Sequence, residues 1–231
     1  MIHRYAWPSL IVSLLAACGS ESAGDAPPSV PPPVAAQPAT VDARPLVVFI
    51  GTSLTAGQGL RDPAQAYPAL IQARLDSAGL AFRVVNAGIS GETSAGARRR
   101  IDWVMDQGDV AVLFLETGAN DGLRGQDPDT LRANIDAILA RARQQEPPPR
   151  LIVAGMEAPP NLGAQYTARF RAVFPEAAAA HGAALVPFLL EGVAGVEELN
   201  QSDGIHPTPE GHRRIAELVW GVVLEAVGGA R

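Results

Sequence analysis

Between Leu46 and the end of the chain, five short apolar runs alternate with longer stretches of helical spacing, and this alternation limits the fold more than any other feature. The runs at 46–50, 82–85, 110–115, 151–154 and 184–187 are short and rich in β-branched residues. That is how strands buried on both faces read. Helical patterns fill the intervals at 65–78, 93–105, 128–145 and 165–181, and 209–227 closes the chain. The apolar spacing is plain in Leu131, Ile135, Ile138 and Leu139, and again in Ile215, Leu218, Val219 and Val222. Gly79, Gly182 and Gly228 stand where helix C-caps are expected. The alternation predicts one α/β domain of three layers, α/β/α, around a mainly parallel sheet, with no internal repeat.

In an open parallel sheet the functional site lies beyond the carboxyl ends of the strands. The distinctive polar clusters follow the predicted strands in turn: Gly51-Thr52-Ser53, then residues 86–93, 116–121 and 156–161. A fifth cluster, Asp203 to His206, precedes the last helix. All five are expected on one rim.

Composition removes whole classes of chemistry. All 18 basic residues are arginine, so Schiff-base catalysis, a lysine general base and a P-loop lysine are excluded. The single cysteine, Cys18, leaves no disulfide, no Cys-rich zinc site and no cysteine nucleophile in the domain. A net charge of −6 gives no electrostatic reason to expect nucleic acid as a partner. Gly51, Gly57 and Gly59 fit neither the dinucleotide glycine spacing nor the P-loop, and no serine stands in a G-x-S-x-G elbow. Nucleophilic catalysis is thereby left mainly to serine or threonine with histidine, or to a carboxylate.

Four histidines allow elimination. His3 lies in the leader, His181 ends an alanine-rich helix where a capping role is expected, and His212 falls on the last helix, expected exposed. His206 follows Asp203 by three positions in the loop DGIHP. The carboxylate can then accept from one ring nitrogen while the other faces outward, as a general base requires. The same spacing suits an Asx-turn beside a surface histidine equally well. Ser53 sits where a strand turns into a helix, and it too has a plain alternative as a cap or turn residue. Gly88 and Gly91 could bring backbone N–H groups close to a ligand. Asn120 could aim its amide at a developing oxyanion, or Asn120-Asp121-Gly122 could be a turn.

Taken in order, GTSLTAGQGL, NAGISGET, GAND and DGIHP resemble the motif blocks of the SGNH/GDSL hydrolase family, in its thioesterase/arylesterase/lysophospholipase branch. The resemblance spans nearly all of residues 46–225. It implies a flavodoxin-like sheet of about five parallel strands and a catalytic triad of Ser53, Asp203 and His206. It also implies an oxyanion hole from the Ser53 and Gly91 backbone N–H groups and the Asn120 side chain. The expected reaction is ester hydrolysis through an acyl-enzyme, with no metal or cofactor. Simple esters, acyl thioesters and lysophospholipids are the candidate substrates, with Leu123, Pro159, Pro160 and Leu162 lining an acyl groove. Carbohydrate O-acetyl esters or acyl transfer form the alternative chemistry, and a non-catalytic lipoprotein that binds acyl chains or glycans is the alternative class. One residue departs from the family pattern: Thr52 stands where an aspartate usually precedes the serine.

The first 17 residues read as a signal peptide, since the apolar stretch LIVSLLAA is far below the ~18–20 residues of a spanning helix. Small residues ahead of Cys18 resemble the lipobox of bacterial lipoproteins, which implies lipidation at Cys18 and attachment to the membrane. Gly19, rather than aspartate, after that cysteine points to the outer membrane of a bacterial envelope. Residues 18–45 are rich in Pro and Ala and read as a partly polyproline tether, and 46–231 form the hydrolase domain.

Overall fold

The computed structural model describes residues 42–230, so the expected signal peptide, Cys18 and most of the expected tether lie outside the described residues. Five strands form one sheet: β1 (Leu46–Gly51), β2 (Arg83–Gly88), β3 (Val110–Glu116), β4 (Arg150–Ala154) and β5 (Ala184–Val186). They run parallel in the order β2-β1-β3-β4-β5. The helices are α1 (Ser53–Ala56), α2 (Tyr67–Ser77), α3 (Ser94–Met105), α4 (Ala119–Leu123), α5 (Pro128–Ala142), α6 (Ala164–His181) and α7 (Pro209–Gly228). The three-layer α/β/α expectation is met. Helices α3, α5 and α6 pack in series, while α2 packs beside α7.

Sequence and burial agree strand by strand. Every residue of β1 is buried, and so is all of β3 except Ala111, because helices cover both faces of these central strands. Phe49 and Phe114 stack across the β1–β3 pair with ring centroids 4.7 Å apart, and Tyr67 of α2 meets Phe49 edge-on at 5.6 Å. Each such buried ring contributes ~1.5–3 kcal/mol of transfer free energy. Leu131, Ile135, Ile138 and Leu139 all face the core from α5, as their spacing predicts.

Several boundaries differ from the sequence reading, and three of the differences are informative. β2 runs to Gly88 rather than stopping at 85. It is an edge strand, so its apolar run ends at Val85 while its ladder to β1 continues through Asn86, Ala87 and Gly88. α5 ends at Ala142 rather than 145, just short of the prolines at 147–149. Gly182 caps α6 in the left-handed conformation as expected, but Gly228 is the last residue of α7 and Gly229 caps it with φ −90°.

The strand order reverses at β1, whose two neighbours are β2 and β3. Register there sets Gly51 opposite Gly88 and Ile50 opposite Leu115, so all three strands end at one level. The segments that follow them emerge side by side at this switch point, where open α/β sheets place their ligands.

Candidate active site

Ser53 is the first residue of α1, two residues beyond the end of β1. Thr52 caps that helix from an extended conformation, which points Ser53 out over the sheet edge. Beneath the turn, the buried carboxylate of Glu116 accepts the Thr52 backbone N–H at 2.7 Å and the Thr52 hydroxyl at 2.9 Å. It also accepts the Thr55 hydroxyl at 2.9 Å, which lies 2.6 Å from the Tyr67 hydroxyl. Burial pushes the Glu116 carboxyl up from its ordinary range, and the Thr52 and Thr55 donors pull it back. The nucleophile turn is therefore tied to β3 as well as to its own strand.

Chain connectivity brings His206 to the serine across 153 positions, with its Nε2 2.9 Å from Ser53 Oγ. Its Nδ1 lies 2.6 Å from Asp203 Oδ2. Asp203 Oδ1 meanwhile accepts the backbone N–H groups of Ile205 at 2.9 Å and His206 at 3.0 Å. The Asx-turn and the paired histidine thus coexist: the turn aims the ring. The His206 side chain, followed by these two backbone donors, holds the Asp203 carboxyl well below the usual carboxylate range. An acceptor-only Asp203 fixes a proton on Nδ1 and leaves Nε2 free to accept from the serine, which is the tautomer a general base needs.

Gly91 and Asn120 flank the serine on the segments after β2 and β3. Gly91 has φ +77°, a conformation that favours glycine, and its carbonyl accepts from Arg124 at 3.1 Å. Among the described residues, neither its backbone N–H nor that of Ser53 is engaged in a hydrogen bond. Asn120 lies in α4, a short helix rather than a free turn, and its Nδ2 donates to the Glu92 carbonyl at 2.9 Å. One amide hydrogen is left for a ligand. Gly88 is a correction to the sequence reading. Its N–H is taken by Asn86 Oδ1 at 3.0 Å, and a Cβ there would fall 2.3 Å from the Ala56 nitrogen. It is small so that α1 can pack on β2.

A cleft of about 890 Å³ opens beside Ser53, Gly91, Asn120 and His206. Leu123, Pro159 and Pro160 line it as expected. Leu162 does not; it ends a 3-10 turn with its side chain toward Gly125. Met156, Phe188 and Leu190 line the cleft instead, contributed by the segments after β4 and β5. The sequence signal for them was position alone, apolar residues just past a strand end.

The other two described histidines stand apart from the Ser53–His206 pair. His181 pairs with Asp136 at 3.1 Å on the helical layer. His212 is a correction: it is fully buried rather than exposed, accepts the Tyr67 N–H on Nδ1 at 3.3 Å, and stacks on the Tyr67 ring. It sits one turn before Ile215 and Ala216, on the face of α7 that meets α2. Burial, with the nearby His206 ring adding to it, lowers its pKa from 6.5 to about 4.

Comparison with known proteins identifies the family. The model of the GDSL-like lipase/acylhydrolase family matches residues 49–214. The chain is 41% identical over 174 residues to Esterase TesA of Pseudomonas aeruginosa, covering 75% of this chain and 85% of that one. It is 33% identical over 171 residues to Thioesterase 1/protease 1/lysophospholipase L1 of Escherichia coli, covering 74% and 79%. A crystal structure of TesA superposes with a TM-score of 0.74 at 39% identity, over 78% of this chain and 99% of that one. With this family model spanning most of the domain and a relative 41% identical over 85% of its own length, the chain belongs to the GDSL-like lipase/acylhydrolase family.

Proposed function

We propose that the protein is a serine esterase that hydrolyses carboxylic esters through an acyl-enzyme on Ser53. The observation that carries this reading is the continuous hydrogen-bonded line from Asp203 through His206 to Ser53, ending at an open cleft. His206 Nε2 takes the Ser53 proton as Oγ attacks the ester carbonyl, and Asp203 stabilises the imidazolium that forms. The oxyanion is met by the Ser53 and Gly91 N–H groups and the free hydrogen of the Asn120 amide. The alcohol leaves with the proton from His206, and water reverses the sequence to release the acid.

The apolar lining from Leu123, Met156, Phe188 and Leu190 suits the acyl side of an ester. Relatives named esterase, thioesterase and lysophospholipase support thioesters and lysophospholipids as further substrates. Hydrolysis of p-nitrophenyl esters from acetate to palmitate tests the reading. Turnover that vanishes in His206→Ala and survives in His181→Ala is the expected result. Equal loss in both histidine variants, or no turnover at any chain length, contradicts it.

The same proposal places the enzyme on a bacterial envelope membrane, through lipid on Cys18. Cys18→Ser is expected to abolish labelling by a fatty-acid probe and to leave the precursor uncleaved. Release of native protein by high salt without detergent would contradict the anchor, because several acyl chains hold against salt.

A further inference from the structure

A buried ion pair lies beside the oxyanion site and takes no part in the mechanism above. The side chains of Glu92 and Arg100 are only 10% and 13% exposed. Arg100 Nε lies 2.9 Å from both Glu92 oxygens, and its Nη2 is 2.6 Å from Oε2. The first turn of α3 is built to admit this contact. A Cβ on Gly96 would fall 2.5 Å from Glu92 Cγ, so the glycine leaves the channel through which the glutamate reaches the arginine.

The backbone of the same glutamate holds Asn120. Its carbonyl accepts one hydrogen of the Asn120 amide at 2.9 Å. Because the amide group is planar, fixing one N–H fixes the direction of the other. The neighbouring residues are pinned too, Gly91 by Arg124 through its carbonyl and Ser94 by Asp121, whose carboxylate takes the Ser94 N–H at 2.9 Å and its hydroxyl at 2.5 Å. Between those anchors, the Glu92 N–H donates to the Ile89 carbonyl at 3.2 Å, and the Glu92 side chain adds a second restraint on the residue whose carbonyl Asn120 reads.

We propose that the Glu92–Arg100 pair is a positioning device that sets the direction of the Asn120 N–H for the tetrahedral oxyanion. The proposal rests on the esterase reading. Neither side chain touches a reacting atom, and the charges neutralise each other. Their contribution is geometric, and it should pass through Asn120.

A double-mutant cycle on ester hydrolysis tests this, with folding followed by near-ultraviolet circular dichroism. Arg100→Met is expected to lower kcat at least about tenfold with KM within about twofold, part of the ~10²–10³ that one oxyanion donor supplies. Arg100→Lys, which keeps the charge but loses the two-pronged contact, should fall between native and Arg100→Met. In an Asn120→Ala background, Arg100→Met should cost less than about twofold. Losses that multiply fully in the two backgrounds mean the pair is merely structural and overturn the proposal. Should Arg100→Met fail to fold, Gly96→Ala displaces Glu92 without stripping a buried charge, and the cycle is read with it. A native kcat in Gly96→Ala overturns the proposal as well. A native chain inert toward every ester fails the esterase reading itself, whereas an active native chain with multiplying losses fails only the positioning role.

Discussion

At Thr52 the chain carries a hydroxyl where its family usually has an aspartate, and its surroundings explain how the site tolerates the change. Thr52 is 1% exposed, and its hydroxyl donates into the buried Glu116 carboxylate, so the position fixes the nucleophile turn and does not reach the cleft. An aspartate there would set a second carboxyl against the buried Glu116, and such a pair ionises fully only at high cost. Thr52→Asp is therefore expected to keep kcat/KM within about tenfold, ~1.4 kcal/mol of barrier, while one carboxyl of the pair holds a proton. That carboxyl has its folded pKa raised above its unfolded value. The stability it allows is present at low pH and lost as pH rises through the raised value. Denaturant midpoints of native and Thr52→Asp proteins at pH 5 and pH 8 check this. A difference between them that grows toward pH 8 is predicted, and one that is constant with pH contradicts the pairing with Glu116.

At the scale of elements, the site is three strand ends and the loops they launch. The central strands were legible because burial on both faces forces an unbroken apolar run. The edge strand β2 was read short because only part of its ladder is apolar. Helices α1 and α4, of four and five residues, carry too little periodicity to register, yet they seat Ser53 and Asn120. DGIHP marked the histidine, but its meeting with a serine 153 residues away is set by topology, which local spacing does not encode. The Glu92–Arg100 pair was invisible for the same kind of reason. Eight residues separate them, and only the backbone turn into α3 and a side-chain-free Gly96 bring them together. The loop after β2 yields a prediction of its own. Gly91 has φ +77° with open space around a would-be Cβ, so Gly91→Ala meets only backbone strain. It is expected to cost ~1–2 kcal/mol of stability and to lower kcat more than stability alone explains, because the loop relaxes away from the oxyanion. Thermal unfolding together with steady-state kinetics measures both, and an unchanged kcat would remove the Gly91 N–H from the oxyanion hole.

Across the whole molecule, His212 links the packing of α7 on α2 to pH. Its burial was legible in principle, since it precedes Ile215 and Ala216 by three and four positions on the same helical face. Leu218 and Val222 share the apolar spacing but lie on the wetter side, which blurs where the buried face is centred. Its folded pKa of about 4 lies below the ordinary 6.5, so between those values the unfolded chain binds a proton that the native one refuses. Stability from this group is full above pH 6.5 and drains as pH falls toward 4, amounting to about 3 kcal/mol for a gap of that size. Glu116, raised from its ordinary value, acts in the opposite sense, and Asp203 acts only at lower pH. Comparing native with His212→Asn cancels both. The variant should be less stable at pH 7, with a penalty that shrinks steadily toward pH 4. A penalty that stays constant over that range would mean His212 is not held neutral by burial.

The esterase mechanism rests on Ser53 Oγ as the atom that is acylated, because the oxyanion site, the cleft and the positioning pair are all defined around it. Reaction of the purified protein with a p-nitrophenyl alkylphosphonate, followed by peptide mass spectrometry, addresses that atom directly. One phosphonyl group is expected, on Ser53, with loss of esterase turnover in step with labelling and no label in Ser53→Ala. A label on another residue, together with full activity in Ser53→Ala, would contradict it.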